Sequence, residues 1–468
     1  MKTQWILPAV VASSLVLSGC FSSSSSSNRS SEPQSSVRVI HASPDAPMVN
    51  VLVNGAAALE GADYKQAGVL TPAPGSYEVA VEARLPDGTT TTVIGPVTLE
   101  FLQNKRYDVV AVGSAAGGTL ERLILEDEAS PTIGDGQVRL RVAHLAEAAG
   151  EVDVYLSDPA VTLDLANEVP DFTFDYKDVA GPLLVPAGSY QIQVTAAGSD
   201  TAVYDSGPVD LPAGADLLVS AVTNTGANAG ASPISLLALS GGDLVADIFA
   251  VEQGAGVRVV HNSVDAPNVD VFVGGGELPA ISDLAFTETA PEQFGFDSYV
   301  SLPAGTTNVQ VTATGTTTAV IDADLALVNG QGLTVMAVNL LADIEPLVLE
   351  DAARAIATQA TLRVVHGSTQ AGPVDIYLVA TGEGIGNSDP VLSGVVFKDV
   401  SAYLPVPQGT YDVIIATAGS GTPAVTVGPV ELDNGRVYTA VARDQNGEAP
   451  AVSGELILLD DFTVTPTL

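Results

Sequence analysis

Along this chain apolar and polar residues alternate in short runs, and the three-to-four-residue spacing of an amphipathic helix is nearly absent. The run VRVIH (37–41) sets Val37 and Val39 on one face and Arg38 on the other, because side chains alternate across a strand. LRVAH (140–144), VRVVH (257–261) and LRVVH (362–366) repeat the pattern. Each predicts a strand with its apolar face on a core, its histidine on that face and its arginine on the other. A turn that enters a strand also recurs: PGSYEVAV (74–81), PAGSYQIQV (186–194), PAGTTNVQV (303–311) and PQGTYDVII (407–415). Proline presets φ there and glycine takes conformations that other residues resist. GPVTL (95–99), GPVDL (207–211) and GPVEL (428–432) follow, with ADLAL (323–327) in the third place, and then the apolar runs YDVVAV, LLVSAV, LTVMAV and YTAVAR. Short strands with regular turn signals, about 100 residues per copy, predict an all-β chain of four tandem immunoglobulin-like antiparallel β-sandwich domains. The cysteine pair and core tryptophan of antibody domains are missing, so that likeness is architectural.

The copies form two pairs. Asp45-Ala46-Pro47 and Asp265-Ala266-Pro267 follow the histidine in copies one and three, while copies two and four carry Ala148-Ala149-Gly150 and Gln370-Ala371-Gly372. The linkers LILEDEASPTIGDGQ (123–137) and LVLEDAARAIATQAT (347–361) match as well. A two-domain unit duplicated once accounts for this. The expected boundaries are 37–130, 137–242, 256–352 and 361–462. SGGDLVADIFAVEQGAG (240–256) is different and longer and is glycine-rich at both ends, so the loosest articulation is expected there, the alternative being that its apolar middle, Leu244 to Val251, docks on a module.

The openings RVIHASPDAPMVNVLV and RVVHNSVDAPNVDVFV, with the Pro-Ala-Gly-Ser/Thr-Tyr turn, resemble domain of unknown function 4397, found in bacterial exported proteins. The resemblance covers nearly all of residues 37–461. Copies two and four depart at Asp-Ala-Pro, and copy three lacks the turn tyrosine. It implies an exported, immunoglobulin-like β module and brings no activity with it.

All four histidines, His41, His144, His261 and His366, stand in the same motif. Arg38, Arg141, Arg258 and Arg363 lie three residues before them, and Asn50, Asp153, Asp270 and Asp375 nine residues after. The histidine is expected as a neutral ring at the end of a core strand, bonded to backbone of the next loop. If the two strands pair as a hairpin, arginine and acid are cross-strand partners. His41 with Asp45, and His261 with Asp265, are the weak candidates for a metal; zinc needs three or four ligands, and the even copies lack that Asp. Tyr77, Tyr190 and Tyr411 follow a turn and suit corner pinning. No recurring nucleophile, metalloprotease motif or phosphate loop is present. No cofactor is expected; the acidic loop 157–178 is the candidate for calcium, although its spacing is not that of an EF-hand.

The first residues, MKTQWILPAVVASSLVLSGC, read as a leader (1–19) ending in a bacterial lipobox-like LSGC, with Cys20 the lipidation candidate and the chain's single cysteine. A Ser-rich tether completes 20–36. Residue 21 is Phe rather than Asp, which by resemblance to enterobacterial lipoprotein sorting implies the outer membrane. Lys plus Arg total 17 against 55 Asp plus Glu, a net charge of −38, so the anionic surface does not suit nucleic acid. The expectation is a non-enzymatic rod of four modules, lipid-anchored in the bacterial cell envelope, acting as a surface, adhesion or scaffold protein toward an envelope or matrix protein or a polysaccharide. The alternative is a binding lipoprotein for a glycan or other small ligand. Nothing in the sequence sets the oligomeric state.

Overall fold

The computed structural model describes residues 35–241, 243–291, 299–386, 388–444 and 455–463. Cys20, the leader and most of the tether lie outside the described residues. Repeat 1 consists of β1 (Ser36–His41), β2 (Val49–Val53), β3 (Ala56–Ala62), β4 (Ala67–Leu70), β5 (Gly75–Arg84), β6 (Thr90–Phe101), β7 (Lys105–Val112) and β8 (Glu121–Glu128). One sheet has the order β4-β1-β7-β8 and the other β3-β2-β5-β6. β1 runs parallel to β7, and every other pairing is antiparallel. Asn54 and Gly55, both at positive φ, close the β2–β3 hairpin, the conformation a two-residue turn needs to match strand twist. Val37, Val39, Val51, Val79, Phe101, Tyr107 and Val109 fill the space between the sheets. The sandwich thus resembles an immunoglobulin domain in its layers, while its first strand lies between the fourth and the seventh.

Repeats 2, 3 and 4 follow the same plan. Repeat 2 carries an addition: Asp243–Ile248 pairs antiparallel with Ile234–Ser240 as a fifth strand of its sheet. Ala250 then joins that repeat's core, and Gln253 is buried. The segment 240–256 is therefore not the loose joint that its glycines suggest, and repeat 2 runs past its expected end at 242. Backbone hydrogen bonding and apolar docking outweigh the flexibility of the terminal glycines.

The repeats do not form a rod. Within each pair, the sheets that hold the histidine strands pack against each other through their outer faces. Ile40, Val110, Val112 and Leu125 of repeat 1 meet Leu218, Val222, Leu237 and Leu239 of repeat 2. Val260, Met336, Val338 and Leu349 of repeat 3 meet Val365, Val441 and Leu459 of repeat 4. The histidine strands are consequently buried on both sides, and Ala255–His261 and Ala360–His366 are buried at every residue. That explains their nearly unbroken apolar sequence. The two pairs also touch: Ala227 N–H donates to Gly330 O at 2.8 Å, and Ala357 N–H, in the linker between repeats 3 and 4, donates to Asp45 O at 2.8 Å. From the same linker Arg354 reaches repeat 1, donating to Ala46 O at 2.7 Å and to the Asp63 carboxylate.

Candidate functional site

The four histidines stand where the first strand of each repeat leaves its sheet. Each Nε2–H donates to the carbonyl six residues on: His41 to Pro47 at 3.1 Å, His144 to Gly150 at 2.7 Å, His261 to Pro267 at 3.1 Å and His366 to Gly372 at 3.4 Å. In the odd repeats Nδ1 accepts from Ser43 N–H and Ser263 N–H, both at 3.3 Å. A ring that donates from Nε2 and accepts at Nδ1 is neutral. Burial favours that state, holding His41 at a pKa of about 4 and lowering those of His144 and His261.

Asp45 does not face a metal with His41. Its carboxylate accepts from Ser114 Oγ at 2.7 Å, Ala115 N–H at 2.7 Å and Ala116 N–H at 2.9 Å, all in the loop after β7. Asp265 likewise accepts from Leu341 N–H at 2.7 Å. Repeat 4 makes the same tie from the other side: Asp444, after its seventh strand, accepts from Thr369 N–H at 3.0 Å, Thr369 Oγ1 at 2.7 Å and the Ser368 hydroxyl. An even repeat that lacks Asp-Ala-Pro thus joins the same two loops with an acid on the opposite one.

The expected pairing of arginine with the acid nine residues after histidine does not occur. The two strands belong to different sheets, so the residues cannot be cross-strand neighbours. Asp153 accepts from Gly198 N–H at 2.8 Å, Asp270 from Gly315 N–H at 2.9 Å and Asp375 from Gly419 N–H at 2.7 Å. Asn50 accepts from Gly61 N–H at 3.0 Å. These side chains fasten neighbouring turns of their own sheet. Tyr77, Tyr190 and Tyr411 donate to the carbonyl four residues back, at 2.8, 2.8 and 2.7 Å.

The arginines face outward from their sandwich, as alternation requires, and there they enter the seam between paired repeats. Asp108 lies 2.7 Å from both Arg38 and Arg141, one from each repeat. Asp127 meets Arg106, Arg139 and Arg141, and Asp216 meets Arg106 and Arg139. Burial by itself would raise the Asp127 carboxyl; the Arg139 hydrogen bond, the Glu128 N–H and the charge of Arg141 pull it well below the usual carboxylate range. In the second pair Asp351 takes the place of Asp127. It lies 2.5 Å from Arg363 and 3.7 Å from Arg258; Arg258 also donates to Thr334 Oγ1, and Arg363 to Thr439 Oγ1 and Glu350 O. The rings of Tyr299 and Tyr403 cover the two guanidiniums at 5.0 and 4.8 Å.

A second recurring element lay hidden in the sequence. After the histidine strand comes a turn with an aromatic residue followed by a residue at positive φ: Tyr64-Lys65, Tyr176-Lys177, Phe286-Thr287 and Phe397-Lys398. The amide of that second residue donates to the histidine's carbonyl in every repeat. Tyr64 and Phe286 meet the edge of His41 and His261 at 6.2 Å. The turns reach across the seam in both directions. Tyr64 Oη donates to Thr223 O at 2.6 Å and Lys65 Nζ to Asp247 at 2.7 Å, while Lys177 Nζ returns to Glu121 at 2.6 Å. Lys398 Nζ donates to Glu345 at 2.8 Å in the second pair. Its sequence signal is an aromatic residue and then lysine or threonine, at variable distance from the histidine.

Among the described residues no group of three or more His, Cys, Asp or Glu comes together as a metal site. In the acidic loop, Asp158, Asp164 and Asp171 each bond locally, to Ala160 N–H, Asn167 Nδ2 and Leu156 N–H. What the motif residues make is a tie between loops in each of the four repeats and, in each of the two pairs, a charged, buried seam between sheets.

No curated protein matches the chain. A family described only as a domain of unknown function, DUF4397, matches residues 35–155, 255–377 and 384–467. The first two matches run from one sandwich into the opening strands of the next, across the seam. With most of its length matched, the chain belongs to the DUF4397 family.

Proposed function

We propose that the chain is a non-enzymatic protein of the bacterial cell envelope, lipid-anchored through Cys20 in the outer membrane, and that it serves as a multi-domain surface, adhesion or scaffold protein. One observation carries the reading. The polar side chains that recur in all four repeats are engaged within their own module or with the neighbouring repeat, so what is repeated is architecture. The Leu17-Ser18-Gly19-Cys20 run supports the anchor, and the serine-rich stretch after it supports a tether that holds the folded body off the membrane. The test is to compare wild type with Cys20→Ala in cells lacking the native gene. Wild type should incorporate labelled palmitate, pellet with outer membranes and restore cell attachment to matrix. Cys20→Ala should do none of these. A variant that still pellets after a carbonate wash would sink the anchor, and unchanged attachment in cells without the protein would sink the adhesive role.

A further inference from the structure

Between the two sheets of repeat 1 lies an apolar cavity of about 240 Å³. Repeats 2 and 3 hold interior voids of about 50 and 20 Å³. The registers show what leaves repeat 1 open. At the end of the sandwich where the chain enters, repeat 2 closes its interior with the facing pair Val138 and Val185, repeat 3 with Ala255 and Leu302, and repeat 4 with Ala360 and Val406. Repeat 1 has Ser35 and Pro72 there, and Ser35 directs both its N–H and its hydroxyl to Pro72 O, at 3.1 and 2.9 Å. Deeper in, Val37 and Val53 stand where repeat 2 has Leu140 and Leu156 and repeat 4 has Leu362 and Leu378; repeat 3 also has valines there, Val257 and Val273, but carries Leu302 at its end where repeat 1 has Pro72.

The wall chemistry defines the occupant. Val37, Val53, Leu70, Leu99 and Phe101 are among the lining residues, Thr71 supplies the one polar side chain, and no lining residue is charged. We propose that repeat 1 binds a free, neutral, single-chain aliphatic molecule, its alkyl chain between the sheets and its polar end near Thr71. A dry apolar cavity of about 150 Å³ takes benzene, so by proportion this one takes roughly ten carbons. That is shorter than the acyl chain of a membrane lipid, which favours a free ligand over a bilayer one. A fatty carboxylate would find no basic partner on the wall and would enter a protein of net charge −38. The inference stands apart from the anchor and from adhesion, and needs neither.

The experiment titrates the full chain, carrying Cys20→Ala so that it is handled without detergent, with 1-alkanols from hexanol to dodecanol. Affinity should rise about fourfold per methylene up to roughly ten carbons and then level off. Val37→Leu/Val53→Leu installs the leucines of repeats 2 and 4 and fills two methylenes of space, which should weaken decanol about fifteenfold. An unchanged or raised melting temperature shows that the variant is folded; Val79→Ile, which copies Ile192 of repeat 2, gives a second filling at another wall. Loss of less than twofold in both folded variants, or no dependence on chain length, overturns the site. Decanoate binding as tightly as decanol overturns the neutral head group. Phosphatidylcholine vesicles bound by wild type and released by the filling variants would overturn the free ligand in favour of a bilayer chain.

Discussion

His41 sits in a balance of opposing effects, and the largest decides its charge. Removal from water favours the neutral ring, and Arg354 adds to this, while the Pro47 carbonyl and Asp63 favour the cation. Burial wins, and the ring holds no proton until about pH 4. The unfolded chain takes up that proton near 6.5. Between these values the unfolded state binds more protons than the folded one, so stability is full above pH 6.5 and falls as pH drops toward 4. The difference amounts to about 3 kcal/mol for this ring. Urea unfolding at a series of pH values should show that loss, and His41→Gln should flatten it over the same window. An identical slope in the variant would mean that the ring is not held neutral. His144 and His261 shift in the same direction and add to the trend. Asp127, held low by its arginines, contributes only in stronger acid, so the two windows separate.

Strands paired into sheets, and sheets paired across a seam, make the next scale. Asp108 is fully buried between Arg38 and Arg141. Removing one partner of a buried ion pair strands the other charge, which costs about 3–5 kcal/mol. Asp108→Ala is expected to fall in that range in denaturant unfolding of the full chain. The second pair of repeats manages with Thr334 at this position because Asp351 serves both arginines. A cost below about 1 kcal/mol would show that Asp127 can do the same in the first pair. Much of this scale was legible in advance. The alternation in VRVIH placed Val37 and Val39 on the core and Arg38 on the opposite face, and the turn motifs placed Tyr77, Tyr190 and Tyr411 against nearby carbonyls. What Arg38 meets was not legible. Its partner lies 70 residues away on a strand parallel to its own, and the residue that shares this partner belongs to another repeat. Alternation along one strand reports which face a residue takes and is silent on whether that face meets water. The aromatic turns escaped for a different reason: their spacing from the histidine varies with the loops between, and a fixed-offset comparison passes over them. The cavity was hidden too, since Ser35 and Pro72 look ordinary until register sets them in the place of the pairs that close the other repeats.

At the scale of the whole molecule, two face-to-face pairs hold each other through Ala227, Gly330 and the Arg354 linker, while Asp243–Ile248 between them is spent as an edge strand of repeat 2. One consequence concerns where the cations have gone. Of the 17 lysines and arginines, Arg38, Lys65, Arg106, Arg139, Arg141, Arg258, Arg363 and Arg443 are buried. Asp45, Asp108, Asp127, Asp153, Asp270, Asp351, Asp375 and Asp444 are buried as well, so among the described residues the buried charges balance and the whole excess of acid stays at the surface, where few cations are left among the carboxylates. Such a particle responds to salt with the opposite sign from one stapled by surface ion pairs. Dissolved cations shorten the reach of the surface repulsion from about 30 Å at 0.01 M to about 3 Å at 1 M, while the buried pairs are screened far less. The melting temperature is therefore expected to climb with sodium chloride across that range, and a fall would mean that exposed pairs such as Lys105–Glu126 hold the body together after all. By the same logic, dilution out of brine would act on this protein as a mild denaturant, with no change in any contact it makes.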